Sequence, residues 1–192
     1  MTTNSTEQVT PLTGMSRRRR AVVAFSVSLV MVMATVEATV VVAVLPAITR
    51  ELGSFHLYRW IVSAYMLASA MFMPVFGRLA DSHGRRPTFV AALLLFVAGS
   101  AASGAASTMQ ILIAFRVIQG FGAGGLLVLA YTILGDIYTP SERARIQGIL
   151  AALWSAAGAA GPLLGALILR VGSWRWAFYV NVPIGILVWY GY

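Results

Sequence analysis

The sequence predicts an all-α integral membrane protein: six transmembrane helices in one bundle, with the N-terminus in the cytoplasm. Three observations lead there. Of 192 residues, 59% are apolar and only 10% are charged, against about 25% charged in a soluble domain. So few charges cannot cover a water-facing surface. The charges fall in short clusters between long uncharged runs. Those runs are long enough to cross about 30 Å of hydrocarbon, which takes about 20 apolar residues in a helix. A formal charge of +8 would otherwise suggest nucleic acid, but here its clustering reads as a topology signal. The chain has no cysteine, which excludes a disulfide framework and a thiolate metal site, and no metal site is expected.

Taken in order, the runs are separated by few charges. Between Ala21 and Thr49 the only charge is Glu37, and Trp60 to Gly77 has none. Pro87 to Gly135 contains only Arg116, and the polar stretch Ser107-Thr108-Met109-Gln110 divides that run into two helices. Ile146 to Leu169 and Trp176 to Tyr192 are uncharged. The expected spans are residues 21–48, 60–77, 88–106, 111–134, 146–169 and 177–192, preceded by a polar and basic cytoplasmic tail over 1–20. Lysine is absent, so arginine sets the orientation. With the N-terminus inside, Arg17, Arg18, Arg19, Arg20, Arg78, Arg85, Arg86, Arg143 and Arg145 are cytoplasmic. Arg50, Arg59, Arg170 and Arg175 lie outside. A cleaved secretory signal is the competing reading of Arg17–Arg20, but the apolar run that follows far exceeds a signal's 7–15 residues. Asn4-Ser5-Thr6 matches a glycosylation pattern that has no meaning on a cytoplasmic tail.

Two ionisable residues fall inside expected spans, Glu37 in the first and Arg116 in the fourth. Each costs about 2.5–3.5 kcal/mol at a helix centre, so each needs a partner or a wet cavity. At 1.5 Å per residue, Glu37 lies about 24 Å from the inner boundary. Arg116, on a helix running inward from outside, lies about 22 Å from it. The depths agree, so the two are expected to face one polar cavity and interact. One reading is a buried structural ion pair. The other is that Glu37 binds and releases a proton, because burial and a nearby guanidinium act on a carboxyl in opposite directions and moving either changes the balance.

The fourth span carries Arg116, Gln119, Gly120, Ala123 and Gly124 at i, i+3, i+4, i+7 and i+8, a single stripe of polar and small residues. Small residues let a neighbouring backbone come close. The fifth span repeats the theme with Ala157, Gly161 and Gly165, and Pro162 beside Gly161 permits a kink. Between the second and third spans, residues 77–87 read as a loop in which Gly77 and Gly84 permit tight turns and Pro87 opens the next helix. Asp81 among arginines there can cap a helix N-terminus or pair with an arginine, a latch for one conformation.

Residues 77–87 resemble motif A of the major facilitator superfamily, G-x-L-a-D-r-x-G-r-k. Gly77, Leu79, Ala80, Asp81, Gly84, Arg85 and Arg86 match, and Ser82 departs. Arg116 to Ala123, with Gln119 and Gly120, is similar to motif B, whose arginine the family implicates in proton coupling. Gly161-Pro162-Leu163-Leu164-Gly165 resembles the antiporter motif C, with Ala157 and Ala166 where glycine is usual. Glu37-Ala38-Thr39-Val40-Val41 with Ala43-Val44-Leu45-Pro46, Trp60 with Tyr65, and the stretch Trp174 to Gly185 resemble the fourteen-helix drug:proton antiporter branch of the QacA/EmrB type. Glu37 and Val42 stand where that branch more often has Asp and Asn. The resemblance implies the six-helix N-terminal bundle of the major facilitator fold, two inverted three-helix repeats working by alternating access. It further implies export of amphipathic, cationic small molecules in exchange for protons, with the proton as coupling ion and no other cofactor. The setting would be a bacterial plasma (inner) membrane.

A complete member of that branch has a second bundle, so the expected partners are the lipid bilayer, the drug-like substrate and a missing C-terminal half, with no nucleic acid. The chain alone is expected to be inactive. The alternatives are a non-transporting regulatory half-transporter and a proton-coupled symporter of the same superfamily; the latter should lack the helix-5 Gly-Pro motif. An intramembrane serine protease needs a histidine within a span, whereas His56 and His83 lie between spans. A channel should show a continuous polar pore, which is not evident. An enzyme is not expected.

Overall fold

The computed structural model describes residues 16–191, except the side chains of Pro140 and Ser141. The glycosylation match at Asn4 and most of the expected tail lie outside those residues. Seven helices follow in order: α1 (Arg17–Leu52), α2 (Tyr58–His83), α3 (Arg85–Gly104), α4 (Met109–Ile137), α5 (Pro140–Val171), α6 (Trp176–Tyr179) and α7 (Asn181–Gly191). Helices α1 to α5 are long and apolar enough to cross a membrane, and residues 176–191 form a shorter apolar arm.

The helices outrun the spans where the sequence supplies caps. Arg17–Arg20 are not tail but the first turn of α1, because the Ser16 hydroxyl accepts a hydrogen bond from the Arg19 N–H and closes the N-terminus. At α5, Thr139 and Glu142 form a capping box and Pro140 occupies the first turn. The expected loop over 77–87 is a second correction. Residues 77–83 continue α2, and the turn is Gly84 alone, at φ +89°, after which α3 starts at Arg85. Gly77 is helical and makes no turn. Only glycine reaches that φ without strain, so one residue reverses the chain. His83 is the last residue of α2 and His56 sits in the preceding turn.

The packing has an internal symmetry. α2 runs along α4 as α5 runs along α1, α3 lies beside α4 as α6–α7 lie beside α1, and α1 meets α4. Exchanging helices one to three with four to six maps the arrangement onto itself. Glycines set how close the helices come. A Cβ on Gly120 would sit 2.6 Å from the Tyr65 carbonyl of α2, and one on Gly99 would sit 2.6 Å from the Gln119 backbone. Gly161 and Gly165 of α5 similarly abut Thr39 and Ala43 of α1. The core divides into two apolar clusters, one toward each end of the bundle. One centres on Val30, Phe89, Phe96 and Leu129, the other on Val44, Ile48, Leu112 and Trp174.

At its C-terminal end α4 is gripped by three arginines from three helices. Arg20 of α1 donates to the Ile137 carbonyl at 2.5 Å, with its guanidinium 5.6 Å from the Tyr138 ring centroid. Arg85 of α3 pairs with Asp136 and donates to the Thr132 carbonyl at 3.2 Å. Arg143 of α5 donates to the carbonyls of Gly135 and Tyr138. The last carbonyls of a helix have no partner within it, and guanidinium groups suit both those acceptors and the negative helix end.

Candidate functional site

The two charges placed in spans by the sequence meet. Arg116 Nη1 donates to Glu37 Oε1 at 2.5 Å, and both side chains are about 1% exposed or less. The same nitrogen donates to Gln119 Oε1 at 2.9 Å, one helical turn along α4. Nε donates to the Ile61 carbonyl of α2 at 3.1 Å. The guanidinium carbon lies 3.9 Å from the Tyr65 ring centroid and 5.8 Å from that of Phe178, within the range of cation–π attraction. Arg116 is thus held by α1, α2 and α4 together.

The satisfaction is incomplete. Glu37 Oε2 and Gln119 Nε2 are buried and make no hydrogen bond. A buried acceptor without a partner is costly, which marks Oε2 as a place where a proton or a donor gains most. The expected polar cavity is not what surrounds the pair. Arg116 is packed among aromatic rings, and the cavity that reaches Glu37 is walled almost wholly by apolar side chains.

The stripe on α4 lies as the spacing implied: Arg116, Gln119, Gly120, Ala123 and Gly124 are all buried. Gly120 and Gly124 face α2, and Gly122 faces Ala92 and Phe96 of α3. On α5, Ala157, Gly161 and Gly165 are buried while Pro162 is exposed. The helix runs unbroken through Pro162 from 140 to 171. Gly161 abuts Thr39, two residues from Glu37, so motif C and the ion pair share one stretch of α1.

The motif A residues separate. Arg85 pairs with Asp136, a residue the sequence reading passed over. Asp81 and Arg86 are exposed, and Asp81 makes no ion pair among the described residues. Asp136 carried a signal: it is the one acid at the inner end of the fourth span, level with Arg85 at the start of the third. Glu51 was also missed. It accepts from Trp174 Nε1 and from Arg175 Nη1, both at 2.8 Å, while Arg175 Nη2 donates to the Ala106 carbonyl at 3.0 Å. These bonds tie the end of α1, the segment after α3 and the residues just before α6 together. Asn181 donates to Ser100 Oγ, which donates to the Phe178 carbonyl, both at 2.9 Å. The Trp174–Gly185 stretch therefore fastens the sixth segment to α1 and α3.

Comparison with known proteins places this geometry. Residues 27–191 match the family model of the Major Facilitator Superfamily. The chain is 43% identical over 155 residues to "Multidrug resistance protein 3" of Bacillus subtilis (strain 168), covering 81% of this chain and 30% of that protein. It is 41% identical over 160 residues to "MFS-type transporter gkaD" of Penicillium citrinum, covering 83% and 27%. It is 36% identical over 169 residues to "Multidrug transporter protein MdtP" of Bacillus subtilis (strain 168), covering 88% and 31%. The chain thus spans about three tenths of the length of the curated relatives it matches. Among solved structures, the proton:xylose symporter XylE bound to 6-bromo-6-deoxy-D-glucose superposes with a TM-score of 0.72 at 15% identity, over 91% of this chain and 44% of that one. An inward-facing bacterial homologue of the human lysosomal transporter Spinster gives 0.70 at 17% identity, over 93% and 44%. By sequence and by helix packing alike, this chain belongs to the major facilitator superfamily and carries the fold of one of its helical bundles.

Proposed function

We propose that this chain forms part of a proton-coupled exporter of amphipathic small molecules, a drug:proton antiporter in the plasma membrane, in which Glu37 exchanges the proton. One observation carries the reading: a buried carboxylate holds a guanidinium through one oxygen while its other oxygen has no partner. Protonating Oε2 weakens the hold of Glu37 on Arg116, and Arg116 keeps Gln119 and the Ile61 carbonyl as alternative acceptors. A proton on Glu37 and the position of α4 are then linked. A cationic substrate reaching Glu37 in its protonated form would stabilise the carboxylate, so the acid releases its proton as the cation binds. Relatives named as multidrug transporters support the substrate class. The helix-5 Gly-Pro pair against α1 favours antiport over symport in this proposal.

The test is proton release from the purified chain in micelles when tetraphenylphosphonium is added, followed with a pH-indicator dye. Release is expected from the wild type and not from Glu37→Gln, which keeps the shape and removes the exchangeable proton. Equal release from both would remove Glu37 from the mechanism. Reconstituted in vesicles, residues 1–192 alone are expected to show no drug-dependent proton flux, because alternating access needs a second bundle to rock against. Robust flux would show that six helices suffice.

A further inference from the structure

Two buried atoms of opposite hydrogen-bonding kind lack partners, and they belong to side chains that meet at one nitrogen. Glu37 Oε1 and Gln119 Oε1 both accept from Arg116 Nη1, at 2.5 and 2.9 Å. The remaining atom of each head group, Glu37 Oε2 and Gln119 Nε2, makes no hydrogen bond. One is an acceptor and the other a donor. Arg116 dictates which way the amide faces, because a guanidinium only donates and Nε2 in place of Oε1 would set donor against donor. The backbone beneath the amide is held as well, since a Cβ on Gly99 of α3 would sit 2.6 Å from the Gln119 nitrogen. Around Glu37 the charged and titratable side chains are Arg116 of α4 and Tyr65 of α2, whose ring lies against the guanidinium. The α5, α6 and α7 residues that line a cavity together with Glu37 carry no charge, and no Cα of α3 comes within 8 Å of α1 among the described residues.

We propose that Gln119 is the positioning residue for the protonated form of Glu37: once Oε2 carries a proton, the acid and the carboxamide close a reciprocal pair, in which Glu37 Oε2–H donates to Gln119 Oε1 and Gln119 Nε2 donates to Glu37 Oε1. The proton comes from water, forms the O–H bond at Oε2 and leaves from the same atom, and no other covalent bond changes. The cluster goes from neutral, with Glu37 ionised against Arg116, to the single positive charge of Arg116. That charge keeps the Ile61 carbonyl at 3.1 Å and the Tyr65 ring, and it shares Gln119 Oε1, which has two lone pairs. The ionised state leaves two buried polar atoms unpaired, which is costly, and the protonated state pairs both. A carboxamide fits the task because it carries a donor and an acceptor side by side, as a carboxylic acid does. Gln119 lies one helical turn from Arg116 on α4, so it gives the neutral acid a partner at the place where the ion pair lets go. The inference rests on the exporter reading and names the residue that holds the proton there.

The experiment is infrared difference spectroscopy of the full chain in lipid nanodiscs, taken between alkaline and acid pH. The carbonyl stretch of protonated Glu37 is the acid band that Glu37→Gln removes. In the wild type it is expected at the low frequency of a carboxylic acid bonded through both oxygens. Gln119→Met keeps the length of the side chain without the amide, and it is expected to move the band up to the frequency of an acid free of hydrogen bonds. Ser103→Ala removes another buried side-chain atom that makes no hydrogen bond, and it should leave the band where it is. A wild-type band already at the unbonded frequency would overturn the pairing without any variant having to fold. So would a band that Gln119→Met leaves in place, or that Ser103→Ala moves as far. If Glu37→Gln removes no acid band, Glu37 takes up no proton, and the pairing and the exporter reading fall together. Absence of tetraphenylphosphonium-driven proton release, with the band and its shift intact, would remove the exporter reading alone.

Discussion

Arg116 shows how one side chain can be oversupplied with partners while its counterpart is undersupplied. It has Glu37, Gln119, the Ile61 carbonyl and the Tyr65 ring, whereas Glu37 has Arg116 on one oxygen only. Removing the arginine should therefore hurt more than removing the pair. Arg116→Ala is expected to destabilise the bundle by about 3–5 kcal/mol, because it leaves a carboxylate buried without a countercharge. The double variant Glu37→Leu/Arg116→Leu should lose less than that, and SDS–detergent unfolding titrations of the single and double variants give the comparison. The sequence showed this pair through depth arithmetic alone, since a charge inside a span is rare enough to demand a partner. It could not show Gln119 as a third member or Tyr65 beneath the guanidinium. Those contacts depend on how α2 and α4 rotate about their axes, which spacing along one helix does not determine.

At the scale of elements, closeness between helices is set by where side chains are missing. A side chain at Gly161 would meet Thr39 of α1, whereas a Cβ at Gly158 on the same helix has nothing within 4 Å. Gly161→Val is expected to cost about 1–3 kcal/mol through overpacking, and Gly158→Ala to be neutral or to stabilise by about 0.4–1 kcal/mol through the unfolded chain. Thermal unfolding of the two variants measures both. Helix ends offer a pH test. The backbone N–H and hydroxyl of Thr139 hold the Glu142 carboxyl below the usual carboxylate range. A lowered folded value means the contribution is present above the unfolded pKa of about 4.3 and is lost as pH falls through the folded value. Acidification below about pH 4 should thus lower the thermal midpoint of the wild type more steeply than that of Glu142→Gln. The Thr139-Pro140-Ser141-Glu142 pattern reads as a cap from residue types, yet the expected span begins six residues after Pro140 because its charged residues belong outside the lipid. The same rule split α2 from residues 77–83. Hydropathy locates hydrocarbon, while hydrogen bonding decides where a helix stops, and the two differ wherever a helix projects into water.

For the whole molecule, the arginine distribution predicts an orientation that the absence of cysteine makes easy to check. Arg18→Cys and Arg145→Cys, at exposed positions that the orientation puts inside, should react with a membrane-impermeant maleimide only after permeabilisation. Val171→Cys, where the native valine is 83% exposed, should react in intact cells. Inverted labelling would reverse the topology. Fold class and the meeting of the first and fourth spans were legible because lipid enforces long apolar segments and makes a charge inside one of them demand a partner. The outer fastening by Glu51 and the cavity beside Glu37 were not, since both join residues far apart in the chain. The three arginines on the inner tip of α4 have a mechanical consequence. They make that tip a fulcrum and the rest of α4 a lever, with Arg116 about 32 Å along it at 1.5 Å per residue. A tilt of about 3° about the tip would swing the guanidinium by about 1.7 Å over that arm, enough to open a hydrogen bond that closes at 2.5 Å.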